Sequence, residues 1–183
     1  MTDDIRALVV RAIGQTEAII ESIRPEQVEL PTPCPQWTVR DLVEHVVGSD
    51  LRNFVVATRG EKVDWAAPPD PLDSDWAVQA SAAAASLRAA WERPAAPTEG
   101  DSPHQQITEL TVHNWDLLMA LGRDGDVIDD ELAEHALAWS RDKLLPEYRG
   151  EAVGPEVPVP ADAPAYARLV GWFGRDPSWR PPS

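Results

Sequence analysis

Apolar residues recur every three or four positions through most of this chain, and no stretch alternates apolar with polar as a half-buried strand does. The pattern predicts helices. The first runs from about Asp3 to Ser22, with Ile5, Leu8, Val9, Ala12, Ile13, Thr16, Ile19, Ile20 and Ile23 on one stripe. IRPEQVELPTPCPQW interrupts the period. Thr38 then has the chemistry of an N-cap, with Asp41 favouring the positive end of the helix dipole, and the second helix continues to about Thr58. After the proline-rich connector GEKVDWAAPPDPLDSD comes an alanine-rich helix from about Asp75 to Trp91, followed by the breaker ERPAAPTEG. The fourth helix is bounded by Ser102 and Pro103 at its start and Gly122 at its end. A fifth spans about Asp129 to Glu147, and beyond AVGPEVPVPADAP the apolar segment AYARLVGWFG forms a last turn or two. The expected fold is all-α: an up-and-down four-helix bundle with an extra helical segment and an irregular C-terminal tail from about residue 150, all one domain over 1–183.

Composition narrows the function classes. The 183 residues are enough for one domain core, and 43% of them are hydrophobic, well above the signature of disorder. A formal net charge of -15 repels phosphate backbones and anionic lipid surfaces, so neither nucleic acid nor membrane is an expected partner. The apolar runs are far shorter than a membrane span. Cys34 is the only cysteine, which rules out an internal disulfide, and MTDDIRALVV has no secretion-signal pattern. A cytoplasmic protein is expected.

Polar residues that interrupt the apolar stripes are the candidates for chemistry. Glu109 and His113 border the stripe of the fourth helix, four residues apart, a spacing that lets a carboxylate and an imidazole reach one divalent ion. The same spacing also suits a core-edge histidine bonded to a carboxylate, and Glu131 with His135 repeats it elsewhere. His45 falls at the edge of the stripe Val39, Leu42, Val43 and Val46. If the second and fourth helices face each other, three inward groups from two helices leave a metal position open. Periodicity alone leaves both readings standing.

TPCPQWTVRDLVEHVVG, ELTVHNWDLLMALG and the ending VPVPADAP with GRDPSW resemble, in order, three blocks of the DinB-like, mycothiol-dependent maleylpyruvate isomerase family in its short metal-binding branch. The resemblance implies a four-helix bundle and assigns metal binding to His45, Glu109 and His113; Glu131 and His135 fall outside it. It also implies a divalent metal, zinc by ligand type with nickel or copper able to compete, and mycothiol as co-substrate. Two neutral imidazoles and one carboxylate leave such an ion a single positive charge, which favours a bound thiolate over a thiol of ordinary pKa, about 8.5. That thiolate would attack an electrophilic small molecule, in a transferase or isomerase reaction. A metal-binding sensor or interaction protein without catalysis is the alternative.

Around this set, Asp41 and Asp116 lie about a turn from His45 and His113 and are candidates to orient the imidazoles. Arg52 is a candidate for binding a carboxylate of thiol or substrate. Trp37 and Trp115 belong to the matching blocks and are candidates for the cavity wall. Cys34 precedes the helix that carries His45 and is expected to be a small apolar residue of the connector, out of reach of the site; His104 is expected at the surface. The alanine-rich helix or the Trp139 region would serve a homodimer. The characterised isomerases of the family carry a further C-terminal domain, whereas this sequence ends soon after GRDPSW, so a substrate other than maleylpyruvate is expected.

Overall fold

The computed structural model describes residues 2–73, 75–93, 96, 100, 102–143, 149–150 and 153–182, the first three of these as backbone only. α1 (Thr2–Glu21) buries the expected stripe, from Ile5 through Ile20, with Thr16 satisfied by donating to the Ala12 carbonyl at 3.0 Å. The chain then turns through a short 3-10 helix (Pro25–Gln27) and a loop that carries an isolated bridge between Pro31 and Thr38. Thr38 caps α2 (Val39–His45) as expected: its hydroxyl accepts the Asp41 amide while the Asp41 carboxylate accepts from Thr38.

α2 runs into a π-helical turn (Val46–Leu51) and then α3 (Arg52–Thr58), so residues 39–58 form one rod with a widened turn in the middle. The expected helix is present, but not as an unbroken α-helix. A π turn shifts every later residue around the axis, because its hydrogen bonds close five residues apart instead of four. The proline-rich connector crosses this turn. Asp70 donates its amide to the Gly48 carbonyl at 3.0 Å, and the Arg52 guanidinium holds the Asp70 carboxylate at 2.7 Å. Gly48 leaves the room: a Cβ there would collide with the Asp70 backbone.

α4 (Trp76–Glu92) turns Ala80, Ala84, Leu87 and Trp91 inward, the two alanines letting it lie close to α1 and α3. α5 (Ser102–Ala120) is the central helix, with 15 of its 19 residues buried. It touches α1, the 39–58 rod, α6 (Asp130–Lys143) and α7 (Ala165–Trp172). It ends as expected at Gly122, whose φ of 69° allows Arg123 and Gly122 to donate back to the Leu118 and Met119 carbonyls. α6 begins where expected; residues 144–147 of its expected end lie outside the described residues. The tail's apolar segment forms α7, which adds Leu169 and Val170 to the core and covers α5 and α6.

The protein is therefore all-helical among its described residues, a helical bundle with α6 and α7 packed on its central helix. No described helix is long and apolar enough to cross a membrane.

A valine at Gly48 must push the connector off the rod. Overpacking of this kind costs about 1–3 kcal/mol, and in a chain of this size each kcal/mol lowers the melting temperature by about 2–4 °C. An unchanged melting curve for Gly48→Val would show that the connector is not clamped there.

Candidate metal centre

Two histidines meet where the 39–58 rod packs on α5. His45 ends α2 and His113 lies well inside α5. Their ring centroids are 5.1 Å apart with planes at 80°, and the Trp37 indole lies 4.9 Å from His45 and 6.3 Å from His113. Trp37 immediately precedes the cap residue Thr38, so the cap that starts the helix also fixes this aromatic wall. Trp115 is wholly buried in the core.

Two carboxylates join the histidines. Glu109 brings Oε2 to 3.7 Å from His113 Nε2, and Asp50, on the π turn, brings Oδ2 to 3.3 Å from His45 Nε2. Donor atoms of His45, Asp50 and His113 all lie within 4.8 Å of one another, within reach of a single ion. Glu109 approaches that group through His113. The group has a floor and a mouth: the His113 and Asp50 side chains are each 8% exposed, His45 is 28% and Glu109 38%.

Burial acts on these groups in opposite senses. It presses the His45 imidazole down to about 4, with His113 adding to the effect. It pushes the Asp50 carboxyl up to about 8, with the Glu109 charge adding and His113 opposing.

Behind His113 lies a second, fully buried cluster. Asp116 Oδ2 sits 3.1 Å from His113 Nδ1, accepts the Cys34 thiol at 3.1 Å, and shares the Arg175 guanidinium, whose Nη2 donates to Oδ2 at 3.1 Å and Nε to Oδ1 at 3.3 Å. Arg175 also donates to Cys34 Sγ at 3.3 Å and to the Phe173 carbonyl at 3.1 Å. Burial alone would raise the Asp116 carboxyl, but Arg175 and His113 overcome it and hold the group at about 2. Burial alone would lower His113, but the hydrogen bonds with Asp116 and Cys34 overcome it and leave the imidazole raised well above its ordinary value. An ionised carboxylate only accepts, so Asp116 fixes a hydrogen on Nδ1 and turns Nε2 towards Glu109.

The remaining sequence candidates fall as follows. Asp41 is occupied by the Thr38 cap, and Arg52 by Asp70 and the Pro68 carbonyl at 3.4 Å. Cys34 was expected to lie out of reach of the site, and this is corrected. Measuring along the helix from His45 ignored the loop, which Thr32 folds back by bonding both the Cys34 and Trp37 carbonyls, so the thiol arrives at Asp116 beside the other histidine. His104 was expected at the surface; it is half-buried, with Nδ1 2.8 Å from His135 Nε2 and its ring stacked on that ring. Glu131 pairs with Arg11 at 2.7 Å, apart from the centre. The sequence reading missed Asp50 and Arg175. The glycine within VVGSD is a faint sign of a disturbed helix, and GRDPSW had been noted as a block without any contact given to its arginine.

Fold and donors together define a DinB-like helical bundle with a candidate metal centre where two of its helices meet. The sequence pattern of the mycothiol maleylpyruvate isomerase N-terminal domain matches residues 9–118, and the chain belongs to that family. Two relatives are the uncharacterized proteins MT0763 of Mycobacterium tuberculosis (strain CDC 1551 / Oshkosh) and Rv0738 of Mycobacterium tuberculosis (strain ATCC 25618 / H37Rv). Each is 35% identical over 184 residues, an alignment covering 90% of this chain and 94% of theirs. No solved structure matches.

Arg175→Met removes a partner from a carboxylate with no access to water. Breaking such a pair costs about 3–5 kcal/mol, read as a lower midpoint in urea at pH 7. The depressed Asp116 pKa contributes stability that is complete above the unfolded value, about 3.9, and disappears as pH falls through the folded value, about 2. The gap between parent and variant should therefore narrow as pH falls from about 4 to about 2. A constant gap would mean that Arg175 stabilises the fold without acting through Asp116.

Proposed function

We propose that the protein binds a divalent ion, zinc in the first instance, at His45, Glu109 and His113, and that it is a mycothiol-dependent transferase or isomerase acting on an electrophilic small molecule. The observation that carries the reading is the meeting of His45 and His113 from different helices, 5.1 Å between ring centroids, with the Glu109 carboxylate beside them. Imidazole and carboxylate donors suit zinc, and a buried carboxyl oxygen at this spot, Asp50 Oδ2, has no hydrogen-bond partner and is open to a cation. Membership of the family supports the thiol.

When bound, the ion supplies a positive centre that keeps a coordinated thiol in its thiolate form at neutral pH. The chain's own residues do the rest. Asp116 and Arg175 hold the His113 ring in one orientation, with Nδ1 on Asp116 and Nε2 turned towards the site. Glu109 and His45 are the more exposed members and leave a small molecule an approach, while Trp37 beside His45 offers an apolar face for its carbon skeleton.

Incubating the full chain with zinc, mycothiol and a panel of electrophiles tests the reading. Thiol consumption is expected and should fall by about 100-fold or more in His45→Ala, while Asp116→Asn weakens zinc binding by about 10–100-fold. Protein that takes up no zinc, or turnover indifferent to His45→Ala, would sink it.

A further inference from the structure

Asp50 is unusual among the acidic residues of this chain. It is 5% exposed, and its Oδ2 makes no hydrogen bond even though His45 Nε2 lies 3.3 Å away. The two atoms lie at hydrogen-bond length but not in hydrogen-bond geometry, so the carboxyl oxygen stays unpartnered. Leaving a buried carboxyl oxygen unpaired costs about 1–3 kcal/mol or more, so the arrangement needs a compensating partner. His113 contributes a third donor atom, and all three lie within 4.8 Å of one another.

The backbone explains how Asp50 arrives there. In an α-helix, residues five apart stand about 140° from each other at roughly 100° per residue, so Asp50 would point away from His45. The π turn over Val46–Leu51 closes its hydrogen bonds five residues apart, which brings Asp50 round above His45 on the same face. The turn is pinned by Gly48, whose missing side chain admits the Asp70 backbone. A widened turn interrupts the regular ladder; here it places one carboxylate.

We propose that Asp50 is a further protein ligand of the ion at this centre, giving a donor set of two imidazoles and two carboxylates, His45, His113, Asp50 and Glu109. The inference rests on the metal-binding reading above and changes its electrostatics. With Glu109 alone the ion and its protein ligands keep a single positive charge; with Asp50 as well the sum is zero. Asp50 therefore tightens the hold on the ion and weakens the pull of the bare centre on a thiolate, and the oxygen-rich set admits harder ions than zinc alone.

The test is a titration of the ion-free full-length protein with Co2+ alone, following the visible absorption of the bound ion, in the parent, Asp50→Asn and His45→Ala, with melting curves taken before metal is added. Expected are a loss of Co2+ affinity of about 10-fold or more in Asp50→Asn, an altered Co2+ spectrum, and a melting temperature of the ion-free variant about 2–4 °C above the parent. The rise is the informative part, because a carboxylate kept for structure would lower the melting temperature when changed. Asp50→Asn with the parent's Co2+ affinity and spectrum overturns this proposal and leaves the three-ligand site standing. An ion-free Asp50→Asn that melts below the parent also overturns it. A parent that binds no Co2+, or His45→Ala that binds as well as the parent, overturns both readings.

Discussion

α5 has protein on nearly every side, and it nevertheless carries an imidazole and a carboxylate at its centre. Its neighbours α1, α6, α7 and the 39–58 rod exclude water from His113 and Asp116, so both must find partners within the protein. Arg175 resolves this. The fork of its guanidinium meets both oxygens of Asp116, and Asp116 in turn takes Nδ1 of His113. The orientation of one ring at the candidate centre is thereby tied to packing of α7 nearly sixty residues further along the chain.

Buried ion pairs contribute little net stability against apolar replacements, but they specify geometry, since removing either member leaves the other stranded. Asp116 and Arg175 fit that description, and Cys34 closes the cluster by bonding both. The candidate centre contrasts with it. Every described oxygen of Asp116 is bonded, whereas Asp50 Oδ2 is not. One carboxylate is satisfied by the protein and the other keeps an unpartnered oxygen, the first at Nδ1 of His113 and the second at Nε2 of His45. Local rules of burial are commonly broken at working sites and obeyed elsewhere.

Much of this was legible in the sequence. The stripe of α1, the Thr38–Asp41 cap, the small-residue face of α4 and the Gly122 terminator are local signals, each set by residues within a turn or two. His45, Glu109 and His113 were found because they break an apolar period, and a family resemblance told them apart from Glu131 and His135. What escaped was non-local or depended on phase. Asp50 was hidden because helical-wheel reasoning assumes an unchanging period, and the π turn changes it between His45 and Asp50. Cys34 was misplaced because a loop's path cannot be measured along the helix it precedes. Arg175 escaped because nothing in GRDPSW says which carboxylate its arginine meets.

α5 carries a second histidine contact, and comparison of the two shows what sets the candidate centre apart. His104 lies nine residues before His113, about 13 Å along the axis at about 1.5 Å per residue, and stacks between His135 and Trp139 with centroids 4.9 and 6.3 Å away. There the two imidazoles answer each other, His104 Nδ1 lying 2.8 Å from His135 Nε2. Among the described residues no third donor joins His104 and His135 within ligand distance of both. At His45 and His113 the rings stand edge to face at 80°, and carboxylates approach each ring at a nitrogen. The same residue type on the same helix thus pairs with another histidine nitrogen at one end and meets carboxylates at the other. At the candidate centre the π turn delivers the more deeply buried of the two carboxylates.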